Sequence, residues 1–507
     1  MEMNRLKVKG LVIGILLFLI FYLLPITASA QERRPCVRNI PTGVSGTRGM
    51  LGYPTKNWDP QRIYRVAVVL ISFSDCDFSM DDPVAYYQRI LNESGYNEGY
   101  GMGSLADYYR DQSGGRFNLQ LDVYGPIKVS AKVQNSSVNY GDDAMDEAME
   151  ILNDTAPDVD FSIYDWDGDG EVEQIVFIAA GFCGNQVNGC IWPNTSFAFF
   201  MAPGGISVRM ASITCELWKD GTSCGIGTIS HELAHCLGLP DIYPTVSSDF
   251  SVVDEWDLMD GGNYTNKGWC PPNFSAMEKM CMGWTTPIEL TKSTTVTGMK
   301  PVSEGGETYI IRNSGNVNEF YLLENRRQTR WDYGIPGEGL AIFHVDYDRE
   351  KWSSNQVNVE RYHYRYDLFH ADGKDYRNWD PTGDGTDMSK YTMDHWMRNC
   401  YLSTSVYPYA DTFVVNQSLT DDANPNASVY AFNADGVKLM SKPITNICMA
   451  DDGTISFDFM KNEDTGIVTV ASTDEPDAWY TIDGRRLGSQ PTSRGLYIHG
   501  GKKIVIK

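Results

Sequence analysis

Positive charge is the first thing that this 507-residue sequence has little of. Its 42 Lys and Arg face 66 Asp and Glu, for a formal net charge of −24. A protein that binds nucleic acid presents a basic face to the phosphates, so this balance argues against a nucleic-acid partner. It fits a soluble exported protein with carboxylate-rich calcium sites. Hydrophobic residues make up 42% and aromatic residues 12% of the chain, which argues against global disorder.

Long apolar runs are equally scarce, and the one that stands out lies at the N-terminus. Basic residues precede an apolar run over 10–24, and small residues at 28–30 supply a cleavage site. Residues 1–30 are therefore predicted to be a signal peptide. The alternative is an N-terminal membrane anchor, which is disfavoured because the run is short for a span. No stable span then remains after cleavage, so we expect a secreted or cell-surface protein.

Histidine occurs only seven times, yet His231 and His235 stand four residues apart with Glu232 between them. On a helix both imidazoles leave the same face, where two ring nitrogens can reach one Zn²⁺ at about 2.0–2.1 Å. Gly238 can take a positive φ and swing the chain back, which would bring Asp241 under the metal as a third ligand. Glu232 is placed to take the proton of a zinc-bound water. The pattern predicts a zinc site with Glu232 as its catalytic base.

A methionine-containing turn follows this motif. Met259 lies in Trp256-Asp-Leu-Met-Asp-Gly-Gly262, which looks like the Met-turn beneath the zinc of metzincin-type peptidases. Glu278, on the helix-like stretch beyond it, competes with Asp241 for the role of third zinc ligand. Tyr264 is a weaker candidate for stabilising an oxyanion.

These motifs resemble the M6 metallopeptidases, the family typified by immune inhibitor A. The resemblance covers roughly residues 64–460 and is carried by the extended zinc motif, the Met-turn and the stretches 103–113, 274–284, 321–326 and 339–346. It implies an α+β fold with a zincin- or metzincin-like catalytic domain, a mixed sheet and a zinc-binding helix. It also implies a secreted zinc endopeptidase that acts on protein or peptide substrates, is made with a pro-segment and is accompanied by calcium.

Two other functions stay open at this point. One is a catalytically inactive adhesion or binding protein on the same scaffold, although the intact His231, Glu232 and His235 argue against it. The other is a zinc hydrolase that acts on something other than protein.

Eleven cysteines in an exported chain predict disulfides with one thiol left over. Cys183 with Cys190, and Cys215 with Cys224, would each close a short loop, but the sequence does not settle the pairing. Cys36 is interpreted as a disulfide partner or an inert thiol. The alternative is a thiolate that ligates the zinc and keeps the enzyme latent.

Acidic residues crowd the segment before a predicted strand at 174–180. The candidate calcium ligands are Asp165, Asp167, Asp169, Glu171 and Glu173, with Gly170 at the sharp turn. The loop departs from an EF-hand, because its twelfth position is Val176 and a strand follows. We predict a calcium site here, and the alternative is a solvated acidic turn.

Five parts are expected along the chain. They are the signal peptide 1–30, a short pro-segment or N-terminal extension 31–62, the catalytic domain 63–285, a β-rich domain 286–461 and a small C-terminal β-sandwich 462–507. The last part resembles the sorting domains recognised by type IX secretion systems, which would make that machinery a partner. A plain accessory β module is the alternative.

Residues 205–216 are predicted to form a strand just before the zinc helix. Such a strand either rims the cleft and pairs with the substrate backbone, or is an ordinary internal strand.

Overall fold

The computed structural model describes residues 36–38, 58–133, 140–197, 200–246, 252–374, 402–412, 414–461, 479–481, 486–499 and 502–506. The predicted signal peptide and most of the 31–62 segment lie outside these residues. The chain forms two compact units, Met1–Met460 and Lys461–Lys507.

A seven-stranded mixed sheet lies at the centre of the first unit. Its strands are β1 (Val37–Arg38), β2 (Ile63–Ser72), β3 (Asn118–Lys128), β4 (Glu171–Phe182), β5 (Asn194–Phe197), β6 (Met201–Ala202) and β7 (Ile206–Leu217). They lie in the order β1-β5-β7-β4-β2-β3, with β6 paired to β7. β2, β3, β4 and β7 run parallel, β5 and β6 run antiparallel to β7, and β1 runs parallel to β5.

The strand predicted at 205–216 is therefore internal. β7 lies between β5 and β4, so the possibility that it rims the cleft is wrong. Its central residues are buried, which suits a strand paired on both sides. The strand nearer the sheet edge is the short β5, which the sequence did not single out.

Six α-helices occur in the described residues: α1 (Pro83–Asn92), α2 (Leu105–Gln112), α3 (Asp142–Thr155), α4 (Gly227–Cys236), α5 (Ala276–Cys281) and α6 (Arg349–Ser353). Ser104 caps α2 through a capping box with Asp107, in which each side chain accepts from the other residue's backbone N–H. None of these helices is both long and apolar enough to cross a bilayer.

Alternate residues of β2 point to opposite faces of the sheet, and both faces are buried in apolar clusters. Val66 and Val68 pack in the apolar cluster that contains Leu233 of α4, whereas Val69 packs with Met149 of α3. Every residue of α4 is buried, so this helix lies in the core and is not an amphipathic surface helix. Truncating Leu233 to alanine would cost about 2–5 kcal/mol of stability. The sheet and this core together fix the position of α4.

The second half of the first unit is rich in β structure. Its strands are β8 (Ile288–Glu289), β9 (Thr294–Met299), β10 (Tyr309–Arg312), β11 (Glu319–Arg326), β12 (Gly339–Asp346), β13 (Tyr366–Leu368), β14 (Tyr409–Ala410), β15 (Val415–Asn416), β16 (Ile444–Met449) and β17 (Ile455–Phe459). One five-stranded sheet has the order β13-β12-β11-β10-β8, a three-stranded sheet has the order β16-β17-β9, and β14 pairs with β15.

The buried Arg326 joins this half to the region of the predicted Met-turn. Its Nε and Nη2 atoms donate to Asp332 in a buried ion pair, at 2.8 and 2.7 Å, and its Nη1 donates to the carbonyl of Trp256 at 3.3 Å. Glu324 accepts the backbone N–H of Ala276 at 2.6 Å, at the start of α5. Removing one partner of such a buried pair costs about 3–5 kcal/mol. The strand β11 therefore holds the region of the predicted Met-turn and the start of α5 in place.

The second unit contains one four-stranded antiparallel sheet in its described residues. Its order is β19-β18-β20-β21, formed by β18 (Trp479–Thr481), β19 (Arg486–Leu487), β20 (Gly495–His499) and β21 (Lys502–Ile506). A sandwich requires a second packed sheet, so the predicted sandwich stays a prediction.

Candidate metal centre

The two histidines of α4 present their Nε2 atoms to one point, 3.2 Å apart. Their other ring nitrogens are held by backbone carbonyls: Nδ1 of His231 lies 2.8 Å from the oxygen of Leu258, and Nδ1 of His235 lies 2.7 Å from that of Leu239. A carbonyl only accepts, so in each neutral ring Nδ1 carries the proton and Nε2 offers its lone pair. This is the orientation that a metal ligand requires.

Asp241 completes a three-residue set with the histidines. Gly238 has φ 104°, which lets the chain turn back after α4. Oδ1 of Asp241 then lies 3.2 Å from Nε2 of His231 and 3.4 Å from Nε2 of His235. Asn355 clamps the carboxylate: its Nδ2 donates to Oδ2 at 2.7 Å, and its Oδ1 accepts the Asp241 N–H at 2.6 Å. Sequence reasoning missed Asn355, which lies 114 residues away and belongs to no recognisable motif.

The other predicted candidates lie elsewhere. Oε2 of Glu278 accepts the Ser275 N–H at 2.6 Å in the capping box of α5, and Glu278 is absent from the metal-ligand clusters of the described residues. The hydroxyl of Tyr264 accepts from Nδ2 of Asn185 at 3.0 Å, and its ring packs on Trp218. Neither side chain joins the histidines.

The predicted Met-turn lies against the metal centre. Met259 is fully buried, and its carbonyl accepts the N–H of Ile242, the residue after Asp241, at 2.8 Å. Its neighbour Leu258 supplies the carbonyl that orients His231. The turn thus fixes one histidine and the chain that carries the aspartate.

Cys36 is placed at the same point and forms no disulfide, which corrects its interpretation as a disulfide partner. Its thiol is free, and Sγ lies 3.2 Å from Nε2 of His231, 2.9 Å from Nε2 of His235 and 2.9 Å from Oδ1 of Asp241. The cause is the pairing of β1 with β5, which carries Cys36 across the mouth of the site. No local sequence pattern encodes this pairing.

The four donor atoms fit a zinc ion. Their six mutual distances run from 2.9 to 3.4 Å. Ligand atoms about 2.0–2.3 Å from a tetrahedral zinc stand about 3.3–3.7 Å apart. The four donor atoms therefore need to move apart by only a few tenths of an ångström to accommodate the ion. Imidazole, carboxylate and thiolate are all zinc ligands in proteins. The arrangement supports zinc as the metal.

Burial and charge set the protonation of the centre. Burial raises the pKa of Glu232, with His231 and His235 opposing the rise. Burial would also raise the pKa of Asp241, but the two histidines hold it well below its usual range. For His231 burial lowers the pKa, yet Asp241 and Glu232 outweigh it and raise the value to about 9. Two buried carboxylates therefore require positive charge beside them, which imidazolium protons or a divalent cation supply.

Glu232 is held by a threonine on β5, the strand next to β1 in the large sheet. Its side chain is 2% exposed, and Oε2 accepts the hydroxyl of Thr195 at 2.6 Å. Thr195 lies on β5, 37 residues before Glu232, and was not predicted from the sequence. This bond fixes the rotamer of the carboxylate beside the metal ligands.

The acidic loop brings together only part of the predicted calcium set. Carboxylate oxygens of Asp165, Asp167 and Glu173 lie within 4.8 Å of one another, whereas Asp169 and Glu171 are outside that group. Backbone N–H groups of the loop donate to Asp165 at 2.6 and 2.8 Å. These bonds shape the turn without an ion, so calcium binding stays a prediction.

None of the ten cysteines in the described residues forms a disulfide bond. Cys183 and Cys224 approach to 3.5 Å between their sulfurs, against about 2.05 Å for a disulfide bond. The two short loops expected to be closed by Cys183 with Cys190 and by Cys215 with Cys224 are therefore not closed.

Comparison with known proteins gives a consistent answer. Residues 204–284, which contain α4 and the Met-turn, match the family described as immune inhibitor A peptidase M6, catalytic domain. Immune inhibitor A of Bacillus thuringiensis subsp. alesti is 23% identical over 277 residues, which cover 42% of this chain and 39% of that protein. The pre-pro-metalloprotease PrtV of Vibrio cholerae serotype O1 (strain M66-2) is 22% identical over 273 residues, 45% of this chain and 28% of PrtV. The matched part is thus less than half of each relative. The chain is thus similar to the M6 metallopeptidases over the segment that contains α4 and the predicted Met-turn.

Proposed function

We propose that this chain is an exported, zinc-dependent endopeptidase that hydrolyses peptide bonds in extracellular proteins. One observation carries the proposal: Glu232 lies on the same buried helix as two imidazoles whose Nε2 atoms meet Asp241. The family match over residues 204–284 and the two metalloprotease relatives support it.

Each residue of the centre has a distinct task. His231, His235 and Asp241 would hold zinc, which lowers the pKa of a water ligand and polarises the scissile carbonyl. Glu232 takes the proton from the attacking water and passes it to the leaving amine. The Thr195 hydroxyl occupies Oε2 of Glu232 and leaves Oε1 for that proton. The raised pKa of Glu232 suits a group that both accepts and returns a proton.

The edge of the large sheet supports an extended peptide as the substrate. β5 pairs with β7 on one side and with the two-residue strand β1 on the other. If β1 leaves, the backbone groups of β5 become a free edge next to Glu232. A free strand edge binds extended chains through main-chain hydrogen bonds and leaves side-chain selectivity to pockets. This mode suits cleavage within a chain.

The competing function is a catalytically inactive adhesion or binding protein on the same scaffold. To distinguish the peptidase from the binding protein, the chain is incubated with an unbiased peptide library. The incubation is run without chelator, with chelator, and after zinc is restored. The parent chain and Cys36→Ala are both assayed, so that the thiol at the centre does not mask activity. We expect cleavage at internal bonds that chelator abolishes and zinc restores. Absence of cleavage by both proteins at full zinc occupancy would support the binding protein.

The remaining proposals concern export and accessory ions. Residues 1–30 would direct export, and residues 462–507 would be recognised by the type IX secretion machinery. Deleting 462–507 should then leave the chain inside the producing cell, which fractionation of a type IX-competent host would detect. Calcium at Asp165, Asp167 and Glu173 would stabilise the turn before β4.

A further inference from the structure

The segment Cys36–Arg38 closes the metal centre from outside the catalytic helix. The thiol of Cys36 lies within 3.2 Å of all three proposed ligand atoms, and it comes from a part of the chain 195 residues before His231. Cys36 is 4% exposed, so the residue is almost closed off from solvent. A side chain in this place competes directly with the water that a hydrolytic centre needs.

Four further contacts hold this segment. The Cys36 carbonyl accepts the Thr195 N–H at 2.7 Å, and the Cys36 N–H donates to the hydroxyl of Tyr243 at 3.2 Å. Arg38 pairs with Asp142 at 2.6 and 3.0 Å. Its Nε also donates to Oδ1 of Asn194, on β5, at 2.8 Å.

These contacts locate the segment on the catalytic machinery itself. Thr195 is the residue that holds Glu232, and Val37 stands opposite it in the β1–β5 register. The docked segment therefore occupies both the sheet edge proposed for the substrate and the fourth position of the metal.

We propose that Cys36 is the fourth zinc ligand of the newly made protein, and that β1 holds it there and keeps the centre latent. The inference rests on the proposed function, because latency has meaning only for a hydrolytic centre. A zinc site with four protein ligands is closed, whereas a hydrolytic site keeps one position for water. Coordination breaks the Cys36 S–H bond, forms a zinc–sulfur bond and releases the proton to solvent. On release the thiolate takes a proton back, and solvent enters the vacated position.

Zinc K-edge X-ray absorption on the full chain tests the ligand directly. The protein is zinc-loaded, and its mass shows that Cys36 is retained. We expect one sulfur at about 2.3 Å together with nitrogen and oxygen at about 2.0–2.1 Å. Cys36→Ala should lose the sulfur. The matched control is Cys236→Ala, on the zinc helix, because Sγ of Cys236 faces the carbonyl of Glu173 at 3.7 Å and should leave the spectrum unchanged. A ligand shell of nitrogen and oxygen alone in the parent chain would overturn the proposal. The spectrum of the parent chain gives this result whether or not any variant folds.

Activity gives the second readout. If sulfur occupies about nine-tenths of the centres, at most about one-tenth are open, so Cys36→Ala should raise the initial rate of peptide hydrolysis about tenfold or more. Arg38→Ala, which loosens the strand and spares the thiol, should raise it by less. Equal rates in parent and Cys36→Ala would overturn the latency. Loss of the sulfur signal with no hydrolysis by any variant would keep Cys36 as a ligand and reject the peptidase instead.

Discussion

The clamp on Asp241 offers a quantitative test of how the fold builds the metal centre. Asn355 makes two hydrogen bonds to this residue, at 2.6 and 2.7 Å, one to its N–H and one to Oδ2. Asn355→Gly removes both bonds, and glycine tolerates the φ of 57° found there. Loss of a residue that orients a ligand typically costs 10–100-fold in metal affinity. We therefore expect the zinc Kd to rise by about that factor, which corresponds to about 1.4–2.7 kcal/mol.

The assay is a competitive zinc titration against a chelator of known affinity, at a temperature well below the melting point of both proteins. Asn358→Gly serves as the control, since Asn358 is also buried but donates to the carbonyls of Ile242 and Tyr366 instead of to the aspartate. A Kd for Asn355→Gly within about twofold of the control would show that the clamp does not orient the ligand, and the reasoning about Asp241 would be refuted.

Three other changes have defined outcomes. Asp241→Ala, made in Cys36→Ala so that only the two histidines remain, should lower zinc content measured by atomic absorption, whereas Glu278→Gln in the same background should retain it; the reverse result would make Glu278 the ligand. Millimolar Ca²⁺ should raise the melting temperature of metal-stripped, zinc-restored protein, by a stabilisation of about 2.7 kcal/mol at a hundredfold excess over Kd. Asp167→Ala should remove most of that rise. An unchanged melting temperature of the parent protein would mean that the loop is only a solvated turn. Burial raises the pKa of both Glu278 and the neighbouring Asp257, so the protonated form of these carboxyl groups stabilises the fold at low pH and its contribution falls as pH rises. Calorimetry should therefore show the stability of Glu278→Gln rising relative to that of the parent from about pH 4 upward, and a difference independent of pH would contradict the raised pKa of Glu278.

The local part of the centre was predictable from the sequence. Helical spacing placed His231 and His235 on one face, and both ring nitrogens meet as expected. Gly238 has the positive φ that the turn to Asp241 requires. Every relation among these residues spans ten positions or fewer, where backbone geometry alone decides the outcome.

The distant part was not predictable, because strand pairing and packing decide it. Thr195, Asn355 and Cys36 reach the centre from 37, 114 and 195 residues away. Each comes from an element whose position depends on the whole first unit. The mistaken interpretation of Cys36 as a disulfide partner has this origin, since a cysteine in an exported chain is more often a disulfide partner unless its neighbours in space are known.

The order of the strands within the large sheet was also not predictable from the sequence. The strand at 206–217 and the short strand at 194–197 are both buried in their centres, so hydrophobicity does not tell which one lies nearer the edge. Among the described strands, pairing settles it, because β1 alone lies beyond β5.

The most direct test of the zinc-peptidase proposal is Glu232→Gln, made in Cys36→Ala so that the centre is open. Glutamine keeps an acceptor for the Thr195 hydroxyl and leaves His231, His235 and Asp241 in place, so zinc content should stay at the parent level. Loss of a positioned general base typically costs 10²–10⁴-fold, and hydrolysis of an internally quenched peptide should fall by about that factor. If the double variant, with zinc bound, hydrolysed the peptide at a rate near that of Cys36→Ala, the account would be contradicted, because Glu232 would then not be the base.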